Sequence, residues 1–338
     1  MKQFVRVVLG LVLLMGIAGK AFSLELVFAS EAEAKGMLSA RDEFIVRMSP
    51  FDRAARMKTD RDVPEAKFLE FAASAAGEWG RRDREKVESA FRAVKAVVAS
   101  LKLPLPRQVY IVKTSGMEEG KVAYTRGDAI FLPENLLAAS ERDIQKLLAH
   151  ELFHISSRNN PDFARALYKS IGFQYCGEIE FPEALAPTKI TNPDAPKNDY
   201  CIQLALNRQK VWAIPVLVSQ APKYDVSRGG EFFQYLKLSM LLVEPPASGA
   251  GVRVLYNASG PRLVDLQQFS GFFEQVGQNT GYVIHPEEIL ADNFALLVMG
   301  ERDVRSPEIL TRMQRILAAH KVNLQGDAGA SLKAEKQR

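Results

Sequence analysis

The sequence predicts an α+β fold, with a small mixed sheet packed on one long helix and a mainly helical second half. Four stretches carry that expectation. "QVYIVK" (108–113) reads as a strand, and "KVAYT" and "AIFLP" around Arg126-Gly-Asp128 read as a hairpin. A helix is expected from Ser140 to about Arg158, and a late one from Pro286 to near Gly300. The chain has 338 residues, 47% of them apolar and 25% charged, so it is long enough for a large core and too apolar for a disordered chain.

The first 23 residues read as a signal peptide. Lys2 and Arg6 give a basic start, "VVLGLVLLMGIA" is a short apolar run, and "AFS" (21–23) supplies small residues before a cut. Leu24 is then the mature start, and no membrane span is expected to remain. Removing this segment takes away Lys2, Arg6 and Lys20 and no acid. The net charge falls from +4 to +1, with 41 basic residues against 40 acidic. Neither that balance nor any basic patch suggests a nucleic-acid partner. The expected location is periplasmic or secreted. There, the two lone cysteines, Cys176 and Cys201, are expected to form a disulfide, because they lack the Cys-x-x-Cys spacing of redox or metal pairs.

Residues 24–79 read as an N-terminal wrap or a short pro-segment. Within 80–101, Val87, Phe91, Val94 and Val98 share one helical face, and "LPLP" stops the helix. Arg-Gly-Asp at 126–128 invites an adhesion reading, but a turn with Gly at its special position explains it more simply. The 140–158 helix opens with Ser140 and Asp143 at capping-box spacing. Residues 161–285 are mixed. "VWAIPVLVS" and "FFQYLKLSMLLVE" fit either strand or buried helix, and "TKITNPDAPKNDY" fits a loop. Another helix is expected from Pro307 to about His320, and 325–338 reads as a disordered tail.

"LLAHELFHISS" (147–157) carries the chemistry. His150 and His154 are one helical turn apart, about 40° from each other on one face, so both imidazoles can grip one ion. Glu151 sits beside that face, where a carboxylate can hold a water. Ile144, Leu148, Leu152 and Ile155 form a separate apolar stripe for the core. The five-residue pattern arises by chance on the order of once per hundred chains of this length, so it needs a third ligand to become a site. A His-x-x-Gly-x-x-His continuation fails, because Ser157 and Asn160 occupy those positions. Glu178 and Glu180 lack an Asp four residues on, although together with Glu183 they are the fallback.

The late helix does better. Glu288 and Asp292 are one turn apart among Ile289, Leu290, Phe294, Leu296, Leu297 and Val298. Carboxylates on a buried helix are costly unless paired or metal-bound. Glu288 therefore reads as the third metal ligand, and Asp292 as the acceptor for a ligating imidazole's second nitrogen. Glu287, in the first helical turn, is explained by the helix dipole alone.

This combination, His150-Glu151-x-x-His154 with a later Glu-x-x-Ala-Asp, resembles the gluzincin-type zinc metallopeptidases. The resemblance implies a zincin-like fold and one Zn2+ on His150, His154 and Glu288. It assigns Glu151 as general base and Asp292 behind a histidine. It also implies a peptide or protein substrate that can pair with an edge strand, here expected to be "AIFLP". It covers 108–158 and the late helix, and leaves 160–285 aside. Donors for the developing oxyanion are sought in Tyr282 and His285, just before the ligand helix, with Tyr200 ranked after them. An exported zinc-binding or chaperone-like module without turnover is the competing class.

Overall fold

The computed structural model describes residues 24–101, 103–246 and 251–320; the expected signal peptide (1–23) and tail (325–338) lie outside them. Its first sheet has four strands: β1 (Glu25–Phe28), β2 (Gln108–Thr114), β3 (Tyr124–Arg126) and β4 (Ala129–Pro133). The order is β1-β2-β4-β3, with β1, β2 and β4 parallel and β3 antiparallel to β4.

Strand period decides what covers each face. Val109, Ile111, Ile130 and Leu132 point into one core, with α4 (Arg81–Leu101), α5 (Glu141–Asn159), α6 (Pro161–Ser170) and α8 (Pro286–Val298). Val112, Ala129 and Phe131 point the other way, into a core built from α1 (Glu31–Leu38), α2 (Pro50–Arg56) and α3 (Glu65–Ser74). The sheet is thus sandwiched, and every residue of "AIFLP" is buried. "AIFLP" lies between β2 and β3, so the edge strand is β3 rather than the expected β4.

Residues 24–76 are built into this sandwich. Arg56 is fully buried. Its guanidinium meets Glu119 at 2.6 and 2.7 Å and Asp52 at 2.5 Å, and it stacks 4.1 Å from the Phe232 ring. A buried charge is tolerated only when paired in this way. The Arg-Gly-Asp segment is the β3–β4 turn, with Gly127 at φ +55°. Arg126 is buried and bonded to Asp42 and the carbonyls of Leu38 and Ala40, so it is not offered to a partner.

The second half differs from expectation. Instead of being mainly helical, it carries an antiparallel sheet of β5 (Phe173–Tyr175), β6 (Tyr200–Leu206), β7 (Gln209–Ser219), β8 (Leu236–Val243) and short strands at 263–264 and 269–270. Both faces are covered: Ile202, Leu204, Ala213 and Met240 join the main core, while Ile214, Val216, Leu241 and Val243 form their own. Strands buried on both faces lose the alternation that would reveal them. β6 and β7 join through Asn207 and Arg208, both at positive φ, as a two-residue hairpin turn requires. Helix then returns in the one-turn α7 (Phe273–Val276), in α8 and over 307–320.

Cys176 and Cys201, the pair expected to form a disulfide, lie side by side in the structure. Both are buried free thiols, in hydrogen-bond contact with each other. Among the described residues, no helix is long and apolar enough to cross a membrane.

Candidate metal centre

Two helices make the site. Ser140 caps α5 by accepting the Asp143 N–H, and Ile144, Leu148, Leu152 and Ile155 are all essentially buried. That seating turns His150, Glu151 and His154 towards α8. His285 caps α8, and the helix presents Glu287, Glu288 and Asp292 back to α5. Nε2 of His150 lies 3.3 Å from Glu288 Oε2, and Nε2 of His154 lies 3.6 Å from the same oxygen. The donor atoms of His150, His154 and Glu288 lie within 4.8 Å of one another, so these residues could hold a metal ion.

Each imidazole has a carboxylate behind it. His150 Nδ1 is 3.0 Å from Asp292 Oδ1, and the Thr280 hydroxyl donates to the other Asp292 oxygen. His154 Nδ1 is 2.8 Å from Glu287 Oε1, and Glu287 also accepts from the hydroxyls of Ser157 and Tyr168. With both Nδ1 atoms committed, the two Nε2 atoms are left for a ligand. Sequence reading had Glu287 as a simple first-turn acid. Here it is 2% exposed and braces a histidine. The hydrogen-bond demand of Tyr168 and Ser157 comes from distant segments, and no local pattern reports it.

The donor set asks for a cation. His154 Nε2 and Glu151 Oε2 are buried with no hydrogen-bond partner. Leaving such groups unpaired costs about 1–3 kcal/mol each. Electrostatics point the same way. Burial opposes ionisation of Glu288, yet the His154 charge and the hydrogen bonds from His150 and Asn192 hold its carboxyl down at about 2. Burial also disfavours charge on His154, but Asp194, Glu288 and Glu287 raise it to about 9, a strong pull on positive charge at this spot. Burial and the Asp194 charge raise Glu151 to about 8, against the pull of the two histidines.

A cleft of about 570 Å³ opens over these groups. His150, Glu151, Asp194, Glu288 and Tyr282 line its polar floor, with Val122, Leu147 and Phe233 among its apolar walls. Tyr282 therefore borders the same cleft as His150, Glu151 and Glu288. His285 does not. Its Nδ1 accepts the Glu287 N–H at 3.1 Å, and burial lowers its pKa to about 4. It caps α8 and lies outside the cleft lining. Tyr200 packs on Tyr168 within β6. Glu178 pairs with Arg47, and Glu180 and Glu183 line a separate groove. None of these is at the centre.

Two residues of the loop before β6 were not singled out from sequence. Asn192 donates to Glu288 Oε1 at 2.5 Å, and Asp194 approaches Glu151 and His154. Both sit in an irregular segment, where no periodicity announces a side chain's direction.

Residues 114–161 match the family model of the eCIS core domain, named for the extracellular contractile injection system. The match spans about a seventh of the chain, from the end of β2 through α5, and includes His150, Glu151 and His154. No curated protein and no solved structure matches the chain significantly.

Proposed function

We propose that this chain is an exported zinc-dependent metallopeptidase of the gluzincin type, acting on peptide or protein substrates in the periplasm or outside the cell. The observation that carries the reading is the pair of Nε2 atoms converging on one Glu288 oxygen, with both Nδ1 atoms braced. Ligands about 2.0–2.1 Å from a tetrahedral ion are separated by roughly 3.4 Å. The 3.3 and 3.6 Å separations fit that spacing. The eCIS core match bears on the same helix, and its description names an extracellular system, in keeping with export.

Zinc held by His150, His154 and Glu288 would act as a Lewis acid and acidify a water. The remaining steps belong to the chain. Glu151, beside the ligands, takes the water's proton as the oxygen attacks the peptide carbonyl, and then delivers it to the leaving amine. Tyr282, on the cleft wall, donates to the oxyanion. Asp292 and Glu287 keep the imidazoles oriented. The apolar walls hold substrate side chains and exclude water.

Glu151→Gln tests the mechanism. It is expected to retain zinc and fold while hydrolysis of a peptide mixture falls by about 10²–10⁴-fold. Near wild-type turnover in that variant would end it. If the zinc-loaded chain cleaves nothing, the competing zinc-binding or chaperone-like module takes its place.

A further inference from the structure

Asn192 has no role in the mechanism above, yet it holds the third ligand. Both imidazole Nε2 atoms converge on Oε2 of Glu288, at 3.3 and 3.6 Å. The other oxygen, Oε1, accepts the Asn192 side-chain N–H at 2.5 Å. Glu288 is 1% exposed, and a buried carboxylate oxygen needs a protein donor. The two oxygens of one carboxylate are thereby divided between two tasks. We propose that Asn192 is the positioning residue of Glu288: it occupies Oε1, so that Glu288 meets the metal through Oε2 alone. This deepens the metallopeptidase reading and rests on it.

The other end of the Asn192 amide fixes its orientation. Asn192 Oδ1 accepts the Asp194 N–H at 3.0 Å, a turn in which an Asn side chain bonds the backbone two residues on. With the oxygen committed there, the amide nitrogen faces Glu288. A flipped amide would set oxygen against oxygen at one end and N–H against N–H at the other. The backbone on either side is tied down. The Ile190 N–H donates to the Leu217 carbonyl of β7 at 2.9 Å. The Thr191 N–H donates to Asp52 Oδ2 at 2.9 Å, its hydroxyl donates to the Arg47 carbonyl at 3.0 Å, and Arg56 donates to its carbonyl at 3.1 Å. Beyond Asn192, Thr125 donates to Asp194 Oδ1 from its N–H at 2.7 Å and its hydroxyl at 2.6 Å. The direction of the third ligand is thus set from outside its own helix, by a loop anchored in both sheets and in the N-terminal core.

A catalytic zinc keeps one position open beside three protein ligands. A carboxylate with both oxygens free can take two positions and fill the one that the reacting water needs. The bond from Asn192 removes that choice by holding Oε1 against the amide. It also stops the Glu288 carboxylate from turning, as Asp292 does for His150 and Glu287 does for His154. Each of the three ligands therefore has a protein partner on the atom that it does not offer to the ion.

Zinc affinity by chelator competition and the visible spectrum of the cobalt(II)-loaded chain decide it. Asn192→Ser keeps a hydroxyl to accept the Asp194 N–H but is too short to reach Glu288. It is expected to weaken zinc by roughly 10–100-fold, and to shift and weaken the cobalt bands as a second carboxylate oxygen joins the metal. Thr191→Val is the control. It removes the bond from the same loop to the Arg47 carbonyl, leaves Asn192 in place, and is expected to keep the cobalt bands of the wild type. Unchanged zinc affinity in Asn192→Ser overturns the proposal. So does weakened affinity with unchanged cobalt bands, or an equal band shift in Thr191→Val, because each marks an effect of the loop alone. Should Asn192→Ser fail to fold, X-ray absorption of the unaltered zinc-loaded chain takes its place. A carboxylate bound through one oxygen is expected there, and the short zinc–carbon distance of a carboxylate bound through two overturns the proposal. Loss of metal in His150→Ala leaves the metal centre itself standing in all of these outcomes; if His150→Ala keeps its metal, both readings fall.

Discussion

Each imidazole of the centre is fixed by a carboxylate behind it, and this predicts a graded response to mutation. Glu288→Ala removes a ligand and is expected to lose most of the zinc affinity. Asp292→Ala frees His150 to rotate and is expected to cost roughly 10–100-fold. Glu287→Ala belongs with Asp292, because Glu287 holds His154 as Asp292 holds His150. It also leaves the Tyr168 hydroxyl without the Glu287 acceptor, at a cost of about 1–3 kcal/mol of stability. Metal content of the purified variants and their urea midpoints check both parts; a Glu287→Ala protein with wild-type zinc affinity would remove the brace. Away from the centre, Asp199 tests the linkage of burial to pH. Burial raises its pKa to about 6, against a usual value of 3.8. A raised folded-state pKa stabilises below the unfolded value, and that stability is lost as pH rises through about 6. Asp199→Asn is therefore expected to be more stable than wild type at pH 7–8, by roughly 1–3 kcal/mol, and to lose the advantage near pH 4. Denaturation midpoints of the two proteins at pH 4 and 7.5 measure the crossover, and a pH-independent difference would refute it.

The β5–β6 pair brings Cys176 and Cys201 together. Gln174 pairs with Cys201, the chain turns at Gly177, and the Cys176 thiol contacts the Cys201 thiol. In an oxidising compartment the two sulfurs are placed to bridge, closing a loop of about 25 residues worth about 3 kcal/mol in the chain-entropy model. Thiol titration of the unfolded, unreduced protein purified from an oxidising host is expected to find none free; two reactive thiols would sink this. Elements whose pattern is local were legible in the sequence. Ser140 and the Ile144–Ile155 stripe give α5, the Val87–Val98 stripe gives α4, and both are observed within a residue or so of expectation. Glu288 and Asp292 were legible because carboxylates on an apolar helix demand a partner. The second sheet was not, because Ile214, Val216, Leu241 and Val243 face one core while their neighbours face another, and a run apolar on both sides has no period. His285 was ambiguous in the sequence for the opposite reason. A polar residue just before a helix is as good a cap as a catalytic group, and only its hydrogen bond to the Glu287 N–H separates the two.

At the scale of the molecule, the open question is what residues 24–76 do. A removable pro-segment and an integral layer make opposite predictions. Three observations favour the layer. β1 is hydrogen-bonded in register along β2, from Glu25 opposite Gln108 to Phe28 opposite Ile111. Leu38, Ile45, Phe68 and Ala72 bury the outer face of the sheet, where Val112, Ala129 and Phe131 would otherwise meet water. Exposing Val112 and Phe131 alone costs about 3–6 kcal/mol, at about 1.5–3 kcal/mol each. Arg56 adds a second tie. Removing it strands Glu119, whose carboxyl burial already pushes up to about 7 against the pull of Arg56. Breaking a buried pair on one side costs about 3–5 kcal/mol. These losses are comparable to the whole stability of an ordinary domain. A chain beginning at Gly77 is therefore expected to show no cooperative unfolding transition and to be degraded by low protease concentrations that spare the longer chain. Arg56→Ala in the longer chain is expected to lower the urea midpoint sharply and, through Thr191, to loosen the loop that carries Asn192 and Asp194. A folded, zinc-binding fragment 77–338 with higher turnover than the longer chain would establish the pro-segment instead.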